Sequence, residues 1–465
     1  MRNIRLGQKE VIHFIGIGGI GMSGLAQVMK TMGFKIQGSD QNKNKSTTNC
    51  VKAGIKVFKG QAKKNIKNAT IVVRSSAIKG NNVEILEAQK RKIPIYSRAD
   101  VLANVVSLKK NIIITGSHGK TTTTSLVAKI LSDQKLDPTI INGGVINSFK
   151  SNAKLGRGEW AILEADESDG SFLKLPINYS IVTNIDFEHI DYYKNYKNLE
   201  NAFIKFINKT PPIGKSLICI DNKNIRRIKK RIKNKNILTY GFDKESNFLI
   251  SNARYKVGNS IFNLQYRNIN NEKKIIKNIN LKLLGKHNVL NASAAVAVCV
   301  NLGVKVNIIK KALKNFSGVQ RRMTKIFTKN DNEFFDDYAH HPTEISSILD
   351  GVKKVYKSRK IISVFEPHRY SRVLSLKQKF SLSFKGADLV LICPIYAAGE
   401  KKNRKFKLIN FAKLISKKSK TQVIIIKDQR ELSNFFKKNL ISNEIVIGMG
   451  AGLISQWMRD LRYSL

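Results

Sequence analysis

Residues 111–126 read NIIITGSHGKTTTTSL, and this stretch decides the architecture. Ile112, Ile113, Ile114 and Thr115 are apolar or β-branched without a polar break, the pattern of a strand buried on both faces. Gly116-Ser117-His118-Gly119-Lys120-Thr121 follows, and then a segment with Leu126, Val127, Ile130 and Leu131 at helical spacing. Strand, glycine loop, Lys-Thr and helix is the layout of a nucleoside triphosphate cradle. The glycines let backbone N–H groups approach phosphate oxygens, and the helix points its positive end at them. Lys120 offers a point charge to the β- and γ-phosphates, and the Thr121 hydroxyl can ligate Mg²⁺. The candidate ATP contacts here are Gly116, Ser117, His118, Gly119, Lys120, Thr121 and Thr122. Only Ser117 and His118 separate the two glycines, and Ile114 stands where the general phosphate-loop pattern has its first glycine. The alternative is a surface turn with a solvated lysine.

Upstream, residues 11–15 form a short apolar strand, Gly16-Ile17-Gly18-Gly19-Ile20-Gly21 holds a GxGxxG pattern, and residues 22–32 continue with helical periodicity. A second strand over 34–38 ends in Ser39-Asp40. Asp40 follows Gly21 at about the distance, ~20 residues, at which a Rossmann unit places its ribose-binding acid. The segment reads as a βαβ unit for a nucleotide-type diphosphate, most often NAD, with a tight turn as the alternative. It continues through a strand over 69–73, the turn Arg74-Ser75-Ser76-Ala77, a helix near 83–90 and a short strand over 93–96, and closes near Ser107.

Downstream of the triphosphate loop, a strand over 160–163 ends in Glu164-Ala165-Asp166-Glu167-Ser168-Asp169. A carboxylate at the C-terminal end of a parallel strand beside a phosphate loop is placed to hold Mg²⁺. A strand over 180–183 leads into Asn184-Ile185-Asp186-Phe187-Glu188-His189-Ile190-Asp191. One histidine among three acids suits a second metal position, a proton acceptor or neither. Residues 247–282 alternate like antiparallel strands inserted in the middle domain. The helix predicted over 289–302 is alanine-rich, so that another element can pack closely. His287 or Asn288 can cap it, and the amides of Asn288 and Asn291 can instead read a base edge. After a linker over 316–322, a third α/β segment places a polar cluster behind each strand: Ala339 to Glu344, Glu366 to Arg372, Tyr396 to Glu400 and Gly448 to Gly452. Open parallel sheets build their sites at such positions.

The composition constrains function less than its charge suggests. The chain has 465 residues and a formal net charge of +50. That charge points either to a polyanionic partner or to a bias toward lysine, isoleucine and asparagine spread along the whole chain. No basic tail or aromatic-interleaved patch stands out. Cys50, Cys219, Cys299 and Cys393 are far apart, which argues against a disulfide framework or zinc site and fits a reducing compartment. Arg2 and Arg5 precede an apolar run that loosely looks like a signal peptide, but His13 and the glycines interrupt it. The expectation is a cytoplasmic protein with no membrane insertion and no nucleic-acid partner, monomeric or homodimeric.

In chain order, GIGGIGMSG, GSHGKTTTT, EADESDGSF, TNIDFEHID, GKHNVLNA, DDYAHHPTE and PHRYSR make the chain resemble the Mur ligases over nearly its whole length. The two-residue glycine spacing is that family's form of the loop. Within the family the resemblance is to the branch that joins L-alanine to UDP-N-acetylmuramate in peptidoglycan synthesis, with ATP and Mg²⁺. It implies three α/β domains: a Rossmann-like UDP-sugar domain (1–107), a central ATPase-like domain (108–318) and a Rossmann-like C-terminal domain (319–465). It also reassigns the first glycine loop from NAD to a UDP-sugar, with Gly16, Gly18, Gly19, Gly21, Ser39, Asp40, Ser75 and Ser76 as its contacts. By the resemblance, Lys120 holds phosphates, Thr121 and Glu164 one Mg²⁺, and His189 a second. Asn288 and Asn291 face adenine, Arg322 and Asp337 complete the ATP site, and His341, Arg369 and Arg372 face the reacting carboxylates. Two positions depart from the family: Ile204, with Lys205 beside it, stands where some members carry a carbamylated lysine, and Gly452-Leu453 replaces an expected Gly-Asp pair. An NAD-dependent oxidoreductase and a basic nucleic-acid-binding protein are the competing readings. The first leaves Lys120-Thr121 and the acidic strand ends unexplained, and the second rests on charge alone.

Overall fold

The structure, a computed structural model, describes residue 7 and residues 9–465, with the side chains of Ile190 and Asp191 outside the description. Arg2 and Arg5 lie outside the described residues. Among the described residues the fold is α/β with three sheets. The first has five parallel strands in the order Lys56–Lys59, Lys35–Asp40, Val11–Ile15, Ile71–Arg74 and Ile95–Ser97. The strand order reverses at Val11–Ile15, so the loop that leaves it opens into the crevice where such sheets bind ligands.

The second sheet has ten strands. At its centre Lys110–Thr115 lies between Tyr179–Val182 and Trp160–Glu164, parallel to both. Ile112, Ile113 and Ile114 are fully buried, as the unbroken apolar run requires. Register pairs Ile114 with Glu164 and Thr115 with Val182, so three strand ends finish side by side. On one flank Phe248–Lys256, Asn259–Arg267 and Lys273–Leu281 extend the sheet. Only Val257-Gly258 joins the first two, and neighbours joined so tightly run antiparallel.

The third sheet orders Thr324–Lys329, Asn332–Asp337, Glu444–Met449, Lys360–Phe365, Leu389–Ile392 and Gln422–Ile425. All pairs are parallel except the first. Neighbouring residues feed opposite layers: Phe335, Ile361 and Ile445 pack on one face, and Phe334, Ile362 and Val446 on the other.

The chain forms two compact units. The first contains residues up to Ala253 with Phe262–Leu281 and Leu290–Ser317, and the second Arg254–Ile261, Lys282–Val289 and Gly318–Leu465. The division falls between Ser317 and Gly318, within the linker expected over 316–322, where Phe316 and Val319 are both buried. Among the described residues no helix is long and apolar enough to cross a membrane. The alanine-rich helix runs Lys286–Asn301, and Ala292, Ala294, Ala295 and Ala297 are fully buried. Ala295→Leu is expected to overpack this helix and destabilise the protein by about 1–3 kcal/mol. A chemical-denaturation midpoint equal to that of the wild type would contradict the packing.

Candidate active site

The loop after Lys110–Thr115 is fastened to the loop after Tyr179–Val182. His118 N–H donates to Asn184 Oδ1 (2.8 Å), while the Thr183 hydroxyl (2.6 Å) and the Asn184 amide (2.9 Å) donate to the His118 carbonyl. Ser117 N–H donates to the Asn184 carbonyl (3.0 Å), and Asp186 N–H to Ser117 Oγ (2.8 Å). The His118 ring nitrogen Nε2 lies 2.9 Å from the Asp186 carboxylate. Gly116, at φ +130°, admits no side chain, because a Cβ would collide with the Thr183 hydroxyl. Gly119, at φ +82°, turns the chain into the helix Lys120–Asp133, and a Cβ there would strike the Asn291 carboxamide. Because the helix begins on a glycine, no capping side chain covers its first N–H groups.

Lys120 opens that helix, and its Nζ donates to Glu167 (2.8 Å) and to the carbonyls of Gly116 (2.6 Å) and Ser117 (3.2 Å). Burial works against the ammonium, but the carboxylates of Glu167, Asp166 and Glu164 outweigh it and keep it charged. The same pairing, with His189, outweighs burial at Glu167 and brings its carboxyl down to about 2. Thr121, one residue on, donates its hydroxyl to Glu164 Oε1 (3.2 Å), whose Oε2 accepts from Gly143 N–H (2.6 Å). Thr121 and Glu164 make an all-oxygen pair of the kind hard divalent cations accept. Thr122 is buried in the helix. His189 sits at φ +58°, a strained conformation for a residue other than glycine, and its Nε2 lies 3.4 Å from Glu167 Oε1. Burial lowers the pKa of His189, but Glu167, Glu188 and Asp166 outweigh this and raise it. Asp166, Glu167 and His189 offer three ligand atoms within 4.8 Å of one another.

Around the first glycine loop, Gly16 lies against Ser75, Gly19 precedes the helix Ile20–Thr31, and Gly21 lies in its first turn beside Arg98. Ser76 is exposed. Asp40 serves the loop itself: its carboxylate accepts from Gly18 N–H (2.8 Å) and Asn42 N–H (3.0 Å). Ser39 precedes it on the same strand. Alternation along its strand turns the side chain to the opposite face from Asp40. The hydroxyl is fully buried and donates to Glu84 Oε2 (2.5 Å) rather than facing a ligand. Its carbonyl accepts from Gly16 N–H (2.8 Å) and Ile17 N–H (3.0 Å).

In the second unit Asp337 ends its strand buried, with Met323 N–H (2.7 Å) and Ala339 N–H (2.8 Å) donating to it. Arg322 packs its guanidinium over the Tyr338 ring, 5.5 Å from the ring centre. His341 is buried and caps the helix Pro342–Val355: its Nδ1 accepts from Thr343 N–H (3.3 Å). A neutral ring that accepts at Nδ1 carries its proton on Nε2. Arg369, at φ +65°, donates its N–H to the Tyr396 carbonyl (2.8 Å). Arg372 Nη1 lies 3.0 Å from His368 Nδ1. Burial, aided by Arg372 and Arg369, pushes His368 down to about 4, so the neutral ring accepts that bond. His287 and Asn288 both lie inside the helix Lys286–Asn301, so neither is its cap; Asn291 lies one turn past Asn288, which donates to the Leu284 carbonyl (2.8 Å).

Residues 11–110 match the Mur ligase family catalytic domain, residues 114–299 the Mur ligase middle domain, and residues 321–452 the Mur ligase glutamate ligase domain. The chain belongs to the Mur ligase family. It is 56% identical over 458 residues to a UDP-N-acetylmuramate–L-alanine ligase of Pelagibacter ubique, covering 98% of this chain and 99% of that one. It is 43% identical over 460 residues to the enzyme of that name from Rickettsia felis, covering 97% and 96%. Among solved structures, the UDP-N-acetylmuramate–alanine ligase of Thermotoga maritima superposes with a TM-score of 0.82 at 28% identity, covering 98% of this chain and 99% of that one.

The two departures from the Mur ligase pattern have physical counterparts. Ile204 is half-buried and Lys205 exposed, both on the helix Tyr196–Asn208. Gly452 N–H (3.0 Å) and Leu453 N–H (3.0 Å) both donate to the buried Glu366 carboxylate, so that loop is clamped by a neighbouring strand end. Sequence reasoning assigned no role to Glu366, Glu167 or Glu84. For Glu167 and Glu366 the one available signal was an acid at or near a strand end, and for Glu84 an acid in a helix's first turn; neither says what the carboxylate touches.

Asp337 yields a pH test. Burial, opposed by Arg322 and the two N–H donors, raises its carboxyl to about 6. A raised acid favours the folded state below its unfolded value of about 4, and that contribution is lost as pH rises through about 6. Asp337→Asn is therefore expected to gain stability relative to wild type between pH 4 and pH 7. Unfolding midpoints of the two proteins with a pH-independent difference would contradict the burial of an ionisable Asp337.

Proposed function

We propose that this Mur ligase joins L-alanine to the carboxylate of UDP-N-acetylmuramate, converting ATP to ADP and phosphate. The observation that carries the reading is the junction of three strand ends, where Lys120, Thr121, Glu164, Glu167 and His189 converge beside an uncapped helix start. An oxidoreductase has no use for this arrangement. The relatives' activity supplies the acceptor and the amine.

The chemistry requires an activated acyl group, because a carboxylate oxygen is a poor leaving group. A muramyl carboxylate oxygen attacks the γ-phosphorus, ADP departs, and an acyl phosphate forms. The alanine nitrogen then adds to the acyl carbon, loses a proton, and the C–O bond to phosphate breaks. Lys120 neutralises the transferring phosphoryl, and the loop N–H groups and helix start hold the phosphates in place. Thr121 and Glu164 would hold one Mg²⁺, and His189 with Glu167 and Asp166 a second; bound there, the ions supply charge neutralisation to the phosphates. For Lys120 to reach phosphate it must exchange its carbonyl partners for phosphate oxygens. Asn288 and Asn291 are assigned to adenine, Arg322 and Asp337 to ATP, and His341, Arg369 and Arg372 to the reacting carboxylates. The first glycine loop, with Gly16, Gly18, Gly19, Gly21, Asp40, Ser75 and Ser76, takes the UDP-sugar. The proposed compartment is the cytoplasm, where these nucleotides are made available.

Phosphate release is expected to require ATP, UDP-N-acetylmuramate and L-alanine together. Lys120→Ala is expected to lower kcat by on the order of 10²-fold or more, with the protein still folded. Turnover independent of the amino acid, or a Lys120→Ala enzyme near wild type at saturating ATP, would overturn the assignment.

A further inference from the structure

Beneath the first glycine loop lies a polar network with a fully buried centre, which the proposed chemistry does not use. His13, Ser39 and Glu84 are all fully shielded from solvent, with Asn65 nearly so. Glu84 is the hub. Its Oε2 accepts from Ser39 Oγ (2.5 Å) and lies 3.4 Å from His13 Nε2. Its Oε1 accepts from Asn65 Nδ2 (2.7 Å) and Ala62 N–H (3.2 Å). The Gln37 amide nitrogen donates to the Asn65 carbonyl (2.9 Å) and lies 3.2 Å from His13 Nδ1. With Nδ1 accepting, His13 is the tautomer that donates from Nε2 to Glu84. One carboxylate thus ties together the strands Val11–Ile15 and Lys35–Asp40, the segment at Ala62–Asn65 and the helix Val83–Lys90. Glu84 lies in the first turn of that helix, where the helix dipole favours an anion. Burial alone would raise its carboxyl, but the hydrogen bonds from His13, Ser39 and Asn65 hold it below the usual range.

Shape complementarity alone does not call for this device. A buried carboxylate is expensive to desolvate, and apolar residues of equal volume often hold a core as well or better. What a fully satisfied polar hub adds is a single fixed geometry. Here the fixed element is Ser39, whose side chain is bound to the hub and whose carbonyl receives Gly16 N–H (2.8 Å) and Ile17 N–H (3.0 Å). The next residue, Asp40, takes Gly18 N–H (2.8 Å). The first three residues of the loop are therefore set by the end of the Lys35–Asp40 strand, and that end is anchored from behind by Glu84.

We propose that Glu84 is a positioning residue for the sugar nucleotide: acting through Ser39, it sets the Gly16–Gly19 turn on which the diphosphate rests. The inference builds on the proposed use of that loop for UDP-N-acetylmuramate. Glu84→Gln and Ser39→Ala in the full-length protein are the tests, with steady-state kinetics, calorimetric binding of UDP-N-acetylmuramate and thermal unfolding read on each. Both variants are expected to raise the KM for UDP-N-acetylmuramate by about tenfold or more, with kcat and the KM for ATP within about twofold of wild type. The double variant is expected to be no worse than the weaker single variant, because the two side chains act as one unit. A purely structural role would lower the unfolding midpoint while leaving the sugar-nucleotide KM unchanged, and that result overturns the proposal. If Glu84→Gln does not fold, Ser39→Ala decides alone on the same criterion. Wild-type protein is measured first. If it ligates and both variants keep its sugar-nucleotide KM, only the positioning role falls; if wild type binds no UDP-N-acetylmuramate, the reading of the loop falls and the proposal with it.

Discussion

The close approach at Gly116 is the constraint on which the catalytic face depends. No Cβ fits between that residue and Thr183, so the loops after two neighbouring strands lie against each other at the backbone level. The contact allows His118 N–H and carbonyl to be satisfied by Asn184 and Thr183, and Ser117 to be satisfied by Asn184 and Asp186. Once these bonds form, the two loops are one object. Lys120, just past the end of one, and His189, at the end of the other, are then brought to the same carboxylate, Glu167. The parallel register supplies the third component, because pairing Ile114 with Glu164 puts the latter beside Thr121.

The charges gathered there are held against a desolvation cost. Burial works against the charge on both Lys120 and Glu167, and it is outweighed at Lys120 by Glu167, Asp166 and Glu164 and at Glu167 by Lys120 and His189. In this arrangement the ammonium is ready-made for a polyphosphate and needs no change of protonation to receive one. The same economy appears twice more, in loops held by buried carboxylates: Glu84 behind the first glycine loop and Glu366 behind Gly452-Leu453. Each carboxylate takes up backbone or side-chain donors that apolar packing would leave unsatisfied.

Much of this was legible in the sequence, because the deciding signals are local. An apolar run, two glycines and a Lys-Thr pair specify strand, turn and helix start, and the structure has Lys110–Thr115 and Lys120–Asp133 at those places. The acidic strand end at Glu164 followed from the same rule. The order of the motifs named the family, which no single glycine loop could do; GxGxxG at residues 16–21 alone suggested NAD. What was not legible was the partner of each polar side chain. Ser39 and Asp40 are adjacent in sequence, yet strand alternation sends one hydroxyl into the core and leaves the other residue's carboxylate on the loop. Glu84 owes its role to residues 19 to 71 positions away, beyond any window of periodicity. The linker at 316–322 was legible, but not that tertiary packing buries its Phe316 and Val319.

The chemistry proposed for these strand ends is phosphorylation of a carboxylate before the amine adds to its carbon. The most direct measurement follows oxygen. UDP-N-acetylmuramate carrying heavy oxygen in its muramyl carboxylate is ligated to L-alanine, and the released phosphate is analysed by mass spectrometry or phosphorus NMR. Attack of the carboxylate on ATP followed by loss of phosphate from the acyl carbon moves a carboxylate oxygen into the phosphate at every turnover. Labelled phosphate is therefore expected. Amide product accompanied by phosphate free of the label would contradict it, and with it the purpose assigned to the Lys120, Glu164 and His189 site.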